Sequence, residues 1–290
     1  MSKLSEGILA GRFMVTSELN PPKGTNLEPM FERARSLKDY VDAFNITDSH
    51  AAKMSISPLA TAHLLMDQDI EPIMQMTARD RNRIALQGDL LGAGALGIPN
   101  IVFMGGDPPK IGDHPEATGV FDLMSNDVLD AARRLAAGKD LHDNELNGAP
   151  EYFLGAVVNP GASDLDTEIS KMNAKIEAGA QFLQSQAIYD ASSFERFMNR
   201  VDGLNVSILA GIILLKSAKM ARYMTENVPG IDVPDALIQE MEDAENKGAT
   251  SVEIAARIIN QIKPLCQGIH IMPLGWEDKI PALLEAVEAG

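Results

Sequence analysis

Two acidic residues stand where apolar runs give way to proline pairs. One lies in Thr16-Ser17-Glu18-Leu19-Asn20-Pro21-Pro22, the other in Phe103-Met104-Gly105-Gly106-Asp107-Pro108-Pro109. A carboxylate in apolar surroundings is costly as an anion, so an unpaired Glu18 would take a raised pKa and could act as a general acid near neutral pH. Bonded to neighbouring backbone or to a lysine, it would only organise its loop. Asp107 also reads two ways. The glycines before it let backbone and a flat ligand approach closely, yet Asp-Pro is a common turn opener. Other apolar runs end in Asn45, Thr47 and Asp48, in Gln75 and Thr77, and in Gln184 and Gln186. Such amides and hydroxyls can fix the polar edge of a heteroaromatic ring, although any one of them taken singly reads first as structural.

Several chemistries lack their residues. His50, His63, His114, His142 and His270 show neither HxH nor HExxH spacing, so no dedicated metal site is expected. Cys266 is the single cysteine, which excludes an intrachain disulfide and a cysteine-ligated cluster. No GxSxG elbow occurs. Gly92-Ala93-Gly94-Ala95-Leu96-Gly97 fits the dinucleotide pattern GxGxxG, but a helix precedes it and a strand follows. That order is the reverse of what pyrophosphate binding needs, so the motif reads as a helix-ending loop. A net charge of −16 without a basic stripe disfavours nucleic acid. No apolar stretch is long enough to span a membrane, and the first residues lack the apolar core of a signal peptide, so a cytoplasmic protein is expected.

The elements that must position these groups alternate. Strands are expected over 13–19, 41–47, 71–77, 100–105, 152–158, 182–188, 206–214 and 268–274. Helices are expected over 27–40, 58–68, 79–92, 123–137, 165–178 and 192–201, with Gly94, Gly138 and Gly179 near C-caps and Asp164, Ser192 and Ser217 near helix starts. After the seventh strand come extra helices over 217–226, 234–247 and 251–265. Eight βα units without a linker predict one α/β domain over 1–290, a single (β/α)8 TIM barrel with extra helices after the seventh strand. Chemistry in such barrels sits at the strand C-termini, where the polar residues above fall.

In their order and strand placement, the motifs resemble the methylenetetrahydrofolate reductase family over roughly residues 13–274. The matching segments are Ser17-Glu18-Leu19-Asn20-Pro21-Pro22, Asn45-Ile46-Thr47-Asp48, Gln75-Met76-Thr77-Ala78-Arg79-Asp80 and Gly105-Gly106-Asp107-Pro108-Pro109. Further along they are Glu177-Ala178-Gly179-Ala180, Gln184-Ser185-Gln186, Tyr189-Asp190 and Gly211-Ile212. The resemblance implies flavin-dependent reduction of 5,10-methylenetetrahydrofolate to 5-methyltetrahydrofolate, in cytoplasmic one-carbon metabolism serving methionine biosynthesis. It implies FAD, with FMN the alternative, and NADH or an electron-donating partner subunit as the donor. By it Glu18 is the general acid that assists opening of the folate imidazolidine ring. Asp107 contacts the pterin and favours the cationic iminium, and Gln186 binds folate. Thr47, Gln75, Thr77, Asp122, Lys171 and Lys175 fall in segments that line the flavin, the lysines being suited to its phosphate.

Three positions depart from better-known members: Gln75 replaces a common histidine, Gly105 an arginine, and Ala218 an aromatic that contacts nicotinamide and folate. Two rival readings are a partner-dependent folate- or flavin-binding subunit of a larger complex and a folate-dependent methyltransferase barrel. Because barrel reductases often associate, a homo-oligomer is a further expectation.

Overall fold

The computed structural model describes residues 1–204 and 206–289. Eight parallel strands close in sequence order into a barrel. They are β1 Met14–Leu19, β2 Ala43–Ile46, β3 Pro72–Thr77, β4 Asn100–Met104, β5 Phe153–Val158, β6 Phe182–Ala187, β7 Ser207–Ile213 and β8 Gly268–Met272. The surrounding helices are α1 Lys3–Leu9, α2 Glu28–Leu37, α3 Pro58–Met66, α4 Arg83–Ala95, α5 Ser125–Ala136 and α6 Leu165–Glu177. They continue with α7 Ala191–Arg200, α8 Ala218–Asn227, α9 Asp235–Asp243, α10 Lys247–Ile262 and α11 Ile280–Ala289. The expected barrel and the extra helices after β7 are both present. Among the described residues no helix is long and apolar enough to cross a membrane.

Both faces of each strand are buried, which is why the strands read as nearly unbroken apolar runs. Outward residues such as Phe44, Met74, Ile101, Leu183, Ile208 and Ile269 pack beneath the helices. The inward residues divide along the barrel axis. Met14, Ala43, Ile73, Val102, Phe153, Phe182 and Leu209 form an apolar floor, with the Phe153 and Phe182 rings stacked at 4.9 Å. Nearer the strand C-termini the inward positions are Thr16, Glu18, Asn45, Gln75, Gln184 and His270, all buried.

The helix α1, outside the expected alternation, supplies Leu4 and Ile8 to that floor. Its start is held by Glu71, whose carboxylate accepts the Lys3 and Leu4 N–H groups at 2.7 and 2.8 Å. The helix α1 thus packs across the base of the barrel, and the polar interior layer lies toward the opposite end of the strands.

Some boundaries differ from expectation, for local reasons. The helix expected from 79 begins at Arg83, because the Asn82 side chain caps Ile84 and Ala85 at 3.1 Å each and Arg79 pairs with Asp80 in the preceding loop. It runs through Ala95, so Gly94 lies inside it and Gly97, at φ +73°, is the left-handed residue beyond its end. Gly138 and Gly179 do follow α5 and α6 with positive φ. Asp164 and Ser217 cap α6 and α8, whereas Asp190, rather than Ser192, caps α7. Asn246 caps α10, which starts at Lys247 rather than 251.

Candidate functional site

Strand pairing sets which polar side chains meet. Thr16 lies opposite His270 across β1 and β8, and Glu18 opposite Asn45 across β1 and β2. Inside the barrel Asn45 and Gln184 exchange two amide hydrogen bonds, at 2.7 and 2.9 Å. Gln184 Nε2 also faces Thr16 Oγ1 and His270 Nδ1, both at 3.4 Å, and Thr16 Oγ1 stands 3.0 Å from His270 Nδ1. Above this layer Gln75 Nε2 donates to Glu18 Oε1 at 3.2 Å, and His270 Nε2 faces the same oxygen at 3.7 Å. A buried polar network with its members satisfied is rigid, and a single unpaired member would be costly.

Glu18 is 8% exposed. Burial is the largest influence on its carboxyl and pushes the pKa up. The nearby imidazole of His270, the charge of His50 and the Gln75 amide oppose it, and together they hold the carboxyl below its ordinary range. The raised pKa expected of an unpaired Glu18 therefore does not apply, because the carboxylate is paired.

Around the mouth, acidic and basic groups fasten the loops. Asp48 accepts the Thr77 N–H and hydroxyl at 2.8 and 2.9 Å and takes both ends of the Arg81 guanidinium. Arg79, 3% exposed, binds Asp80 through two hydrogen bonds and donates to the carbonyls of Ser49 and Asp107, joining the loops after β2, β3 and β4. The Asp107 side chain is exposed on the rim, beyond Gly105 and Gly106. Gly106 has φ +89°, and a Cβ there would meet Thr77 and Arg79 at 3.0 and 3.1 Å. Ser49, Ala51 and Ala52 all take positive φ after β2, a concentration of strained backbone of the kind found at ligand-binding loops.

The remaining expected site residues are distributed as follows. Thr47 donates to Asn20 at 2.9 Å. Gln186 sits at a break in register between β6 and β7, where three residues after Gln184 reach a partner only two beyond Leu209. Its Oε1 accepts the Ala187 N–H. Gly211 permits this bulge, since a Cβ there would lie 2.3 Å from the Ser185 carbonyl oxygen. Bulges beside active sites re-aim side chains. Asp122 accepts the backbone N–H and the guanidinium of Arg83 at the start of α4, which holds its pKa down to about 2. Lys175 donates to the Val157 carbonyl at 2.7 Å, and burial lowers its pKa against the pull of Glu168. Lys171, one turn earlier on α6, is exposed.

Glu18 and Gln75 are thus in contact with each other, whereas Asp122 bonds Arg83, Lys175 bonds the Val157 carbonyl and Lys171 is exposed. Sequence reasoning did not single out His270 or the clamping role of Arg79. His270 could have been found from the alternation of β8, in which Ile269 and Ile271 face the helices and leave 270 to the interior. Among the described residues no group of three or more His, Cys, Asp or Glu stands together as a metal site.

Residues 3–288 match the family model described as methylenetetrahydrofolate reductase. A Caenorhabditis elegans protein named "Probable methylenetetrahydrofolate reductase (NADPH)" is 24% identical over 289 residues, covering 93% of this chain and 41% of that protein. The chain spans less than half the length of this and similar eukaryotic relatives. The 5,10-methylenetetrahydrofolate reductase of Pectobacterium carotovorum is 24% identical over 259 residues, covering 86% of this chain and 80% of that one. Among solved structures, an uncharacterised Clostridium thermocellum protein described as binding two copies of 5-methyl-5,6,7,8-tetrahydrofolic acid shares the fold, with TM-score 0.66, 18% identity and coverage of 99% and 98%.

Proposed function

The chain belongs to the methylenetetrahydrofolate reductase family, and we propose that it reduces 5,10-methylenetetrahydrofolate to 5-methyltetrahydrofolate with electrons carried by a bound flavin. The observation that supports this most is the setting of Glu18, a buried carboxylate among fixed amides at the C-terminal mouth of the barrel. That is the face where such barrels carry chemistry.

The side chains present fit a flavin in kind. Gly105 leaves open space where a side chain would stand. Thr47, Gln75 and Thr77 offer hydroxyl and amide groups for the polar edge of a ring, and Lys171 offers an exposed ammonium for phosphate. Asp122 and Lys175 would contact the cofactor only by sharing it with their present partners, Arg83 and the Val157 carbonyl. The flavin, FAD or FMN, would supply the hydride for the methylene carbon.

The chain's own residues do the rest. Glu18 delivers a proton to the nitrogen that leaves the methylene carbon, which opens the imidazolidine ring to an iminium. Asp107, on the rim, favours that cation by its charge. Gln186, placed by the bulge, keeps its amide donors available for folate. Holding folate beside its hydride source can lower the barrier by up to about 7–11 kcal/mol. Ala218 is small and buried at the start of α8, where it offers nicotinamide no aromatic surface. That loss favours a partner subunit over NADH as the direct donor, and we take the setting to be the cytoplasm.

The visible spectrum of freshly purified protein tests this reading, followed by anaerobic titration with NADH, NADPH and a low-potential donor. We expect a flavin spectrum that at least one donor bleaches. A colourless protein that releases no flavin on denaturation would favour a flavin-free methyltransferase barrel instead.

A further inference from the structure

We propose that His270 is a positioning residue that stores the proton Glu18 delivers, so that the acid of this chain is a Glu18–His270 pair. This rests on the folate-reductase reading above and deepens it. The imidazole is 3% exposed on β8, with Nε2 toward Glu18 Oε1 at 3.7 Å. Its other nitrogen, Nδ1, faces the Thr16 hydroxyl at 3.0 Å and the Gln184 amide at 3.4 Å. The Gln184 amide is itself fixed by its exchange with Asn45. The Thr16 hydroxyl donates in turn to the Ile269 carbonyl at 3.3 Å, so it can accept from Nδ1; an imidazolium then carries a proton on each nitrogen, and the neutral ring left after Nε2 gives one up keeps its proton on Nδ1.

The groups facing Glu18 come from every neighbouring strand. β3 contributes the Gln75 amide, β8 the His270 imidazole, and the loop after β2 the charge of His50. Behind them stand the uncharged side chains of Asn45, Thr16 and Gln184. Gln75 can donate but cannot store a proton; His270 can do both. An ionised Glu18 beside a protonated His270 holds the same single proton as a neutral acid beside a neutral imidazole. In the reaction a proton passes from His270 Nε2 to Glu18, and one from Glu18 to the folate nitrogen. The bond from that nitrogen to the methylene carbon breaks, and its electron pair stays on nitrogen. The second nitrogen shares its lone pair with the carbon as the iminium forms. Glu18 is left ionised and His270 neutral, and no electrons leave or enter the system.

The test titrates the Glu18 carboxyl in the full chain by ¹³C NMR, with the signal identified by its loss in Glu18→Gln. In His270→Gln, or His270→Asn should the first fold poorly, the midpoint should rise by about one pH unit or more. His50→Gln should move it less. An unmoved midpoint in the His270 variants overturns the proposal, and so does a larger rise in His50→Gln. The second measurement is the pH profile of folate turnover. Its alkaline limb should fall about one unit lower in His270→Gln, a roughly tenfold loss on that limb, with flavin content unchanged. An unchanged profile also overturns the pair as the acid. The carboxyl titration needs no folate chemistry. A shift there without folate turnover in the wild-type protein would keep the pair and refute the reductase reading. Normal turnover with no shift would refute the pair alone.

Discussion

A buried carboxylate and a buried thiol in one barrel meet opposite fates, and their neighbours decide which. Glu18 has an imidazole and an amide to compensate its charge, so it stays ionised although burial favours the neutral form. Among the described residues Cys266 has no cationic partner, and burial pushes its thiol up to about 11 despite weak backbone hydrogen bonds. We therefore expect Cys266 to resist a thiol-specific reagent at pH 8 in the folded protein and to react at once in denaturant; fast native labelling would contradict its placement. The importance of Glu18 and Gln75 was legible from their positions at the ends of apolar runs. Their partner His270 was not, because strand 268–274 pairs with strand 13–19 only when the sheet closes, and closure brings together residues 254 apart in sequence.

At the scale of elements, the positions of the mouth groups depend on short-range steric and electrostatic devices. Gly211→Ala would drive a Cβ into the Ser185 and Gln186 carbonyls. The backbone has no rotamer with which to yield, so we expect a loss of about 1–3 kcal/mol, read by urea denaturation, with folate affinity falling as Gln186 is displaced. Wild-type stability would contradict this. At the start of α4, Asp122 holds Arg83 as a carboxylate. Its pKa is lower in the folded chain than unfolded, so the stabilisation is present in full above the unfolded value of about 3.8 and is lost as pH falls towards about 2. Thermal melts of Asp122→Asn should accordingly lie below wild type at pH 6 and approach it as pH falls below 4; a gap that widens on acidification would refute this. Helix and strand positions followed from period and caps. Gly94 was misplaced because a glycine packed against Pro150 inside α4 looks, in sequence, like one that ends a helix. The bulge at 185–186 left no sequence signal beyond Gly211 itself.

The whole molecule separates its two tasks along the barrel axis. Phe153, Phe182 and the α1 residues Leu4 and Ile8 pack together at one end, where Ser2, Asn100 and Glu71 also hold the start of α1 by hydrogen bonds, and stability can be built there without touching the chemistry. The other end concentrates the amides, the carboxylates and the strained loop after β2. The barrel was legible because eight alternations of strand and helix leave few topologies, and the strand ends then pointed to one face. The pairings within that face come from barrel closure, which composition and spacing do not encode. The central claim, that Glu18 supplies the proton for folate reduction at this mouth, is tested most directly by anaerobic stopped flow. Flavin-reduced wild-type protein and Glu18→Gln would each be mixed with 5,10-methylenetetrahydrofolate. We expect the wild-type flavin to reoxidise as 5-methyltetrahydrofolate forms, and the variant to retain its flavin but react about 10²–10⁴-fold more slowly. Equal rates in the two proteins, or no reoxidation in the wild type, would contradict it.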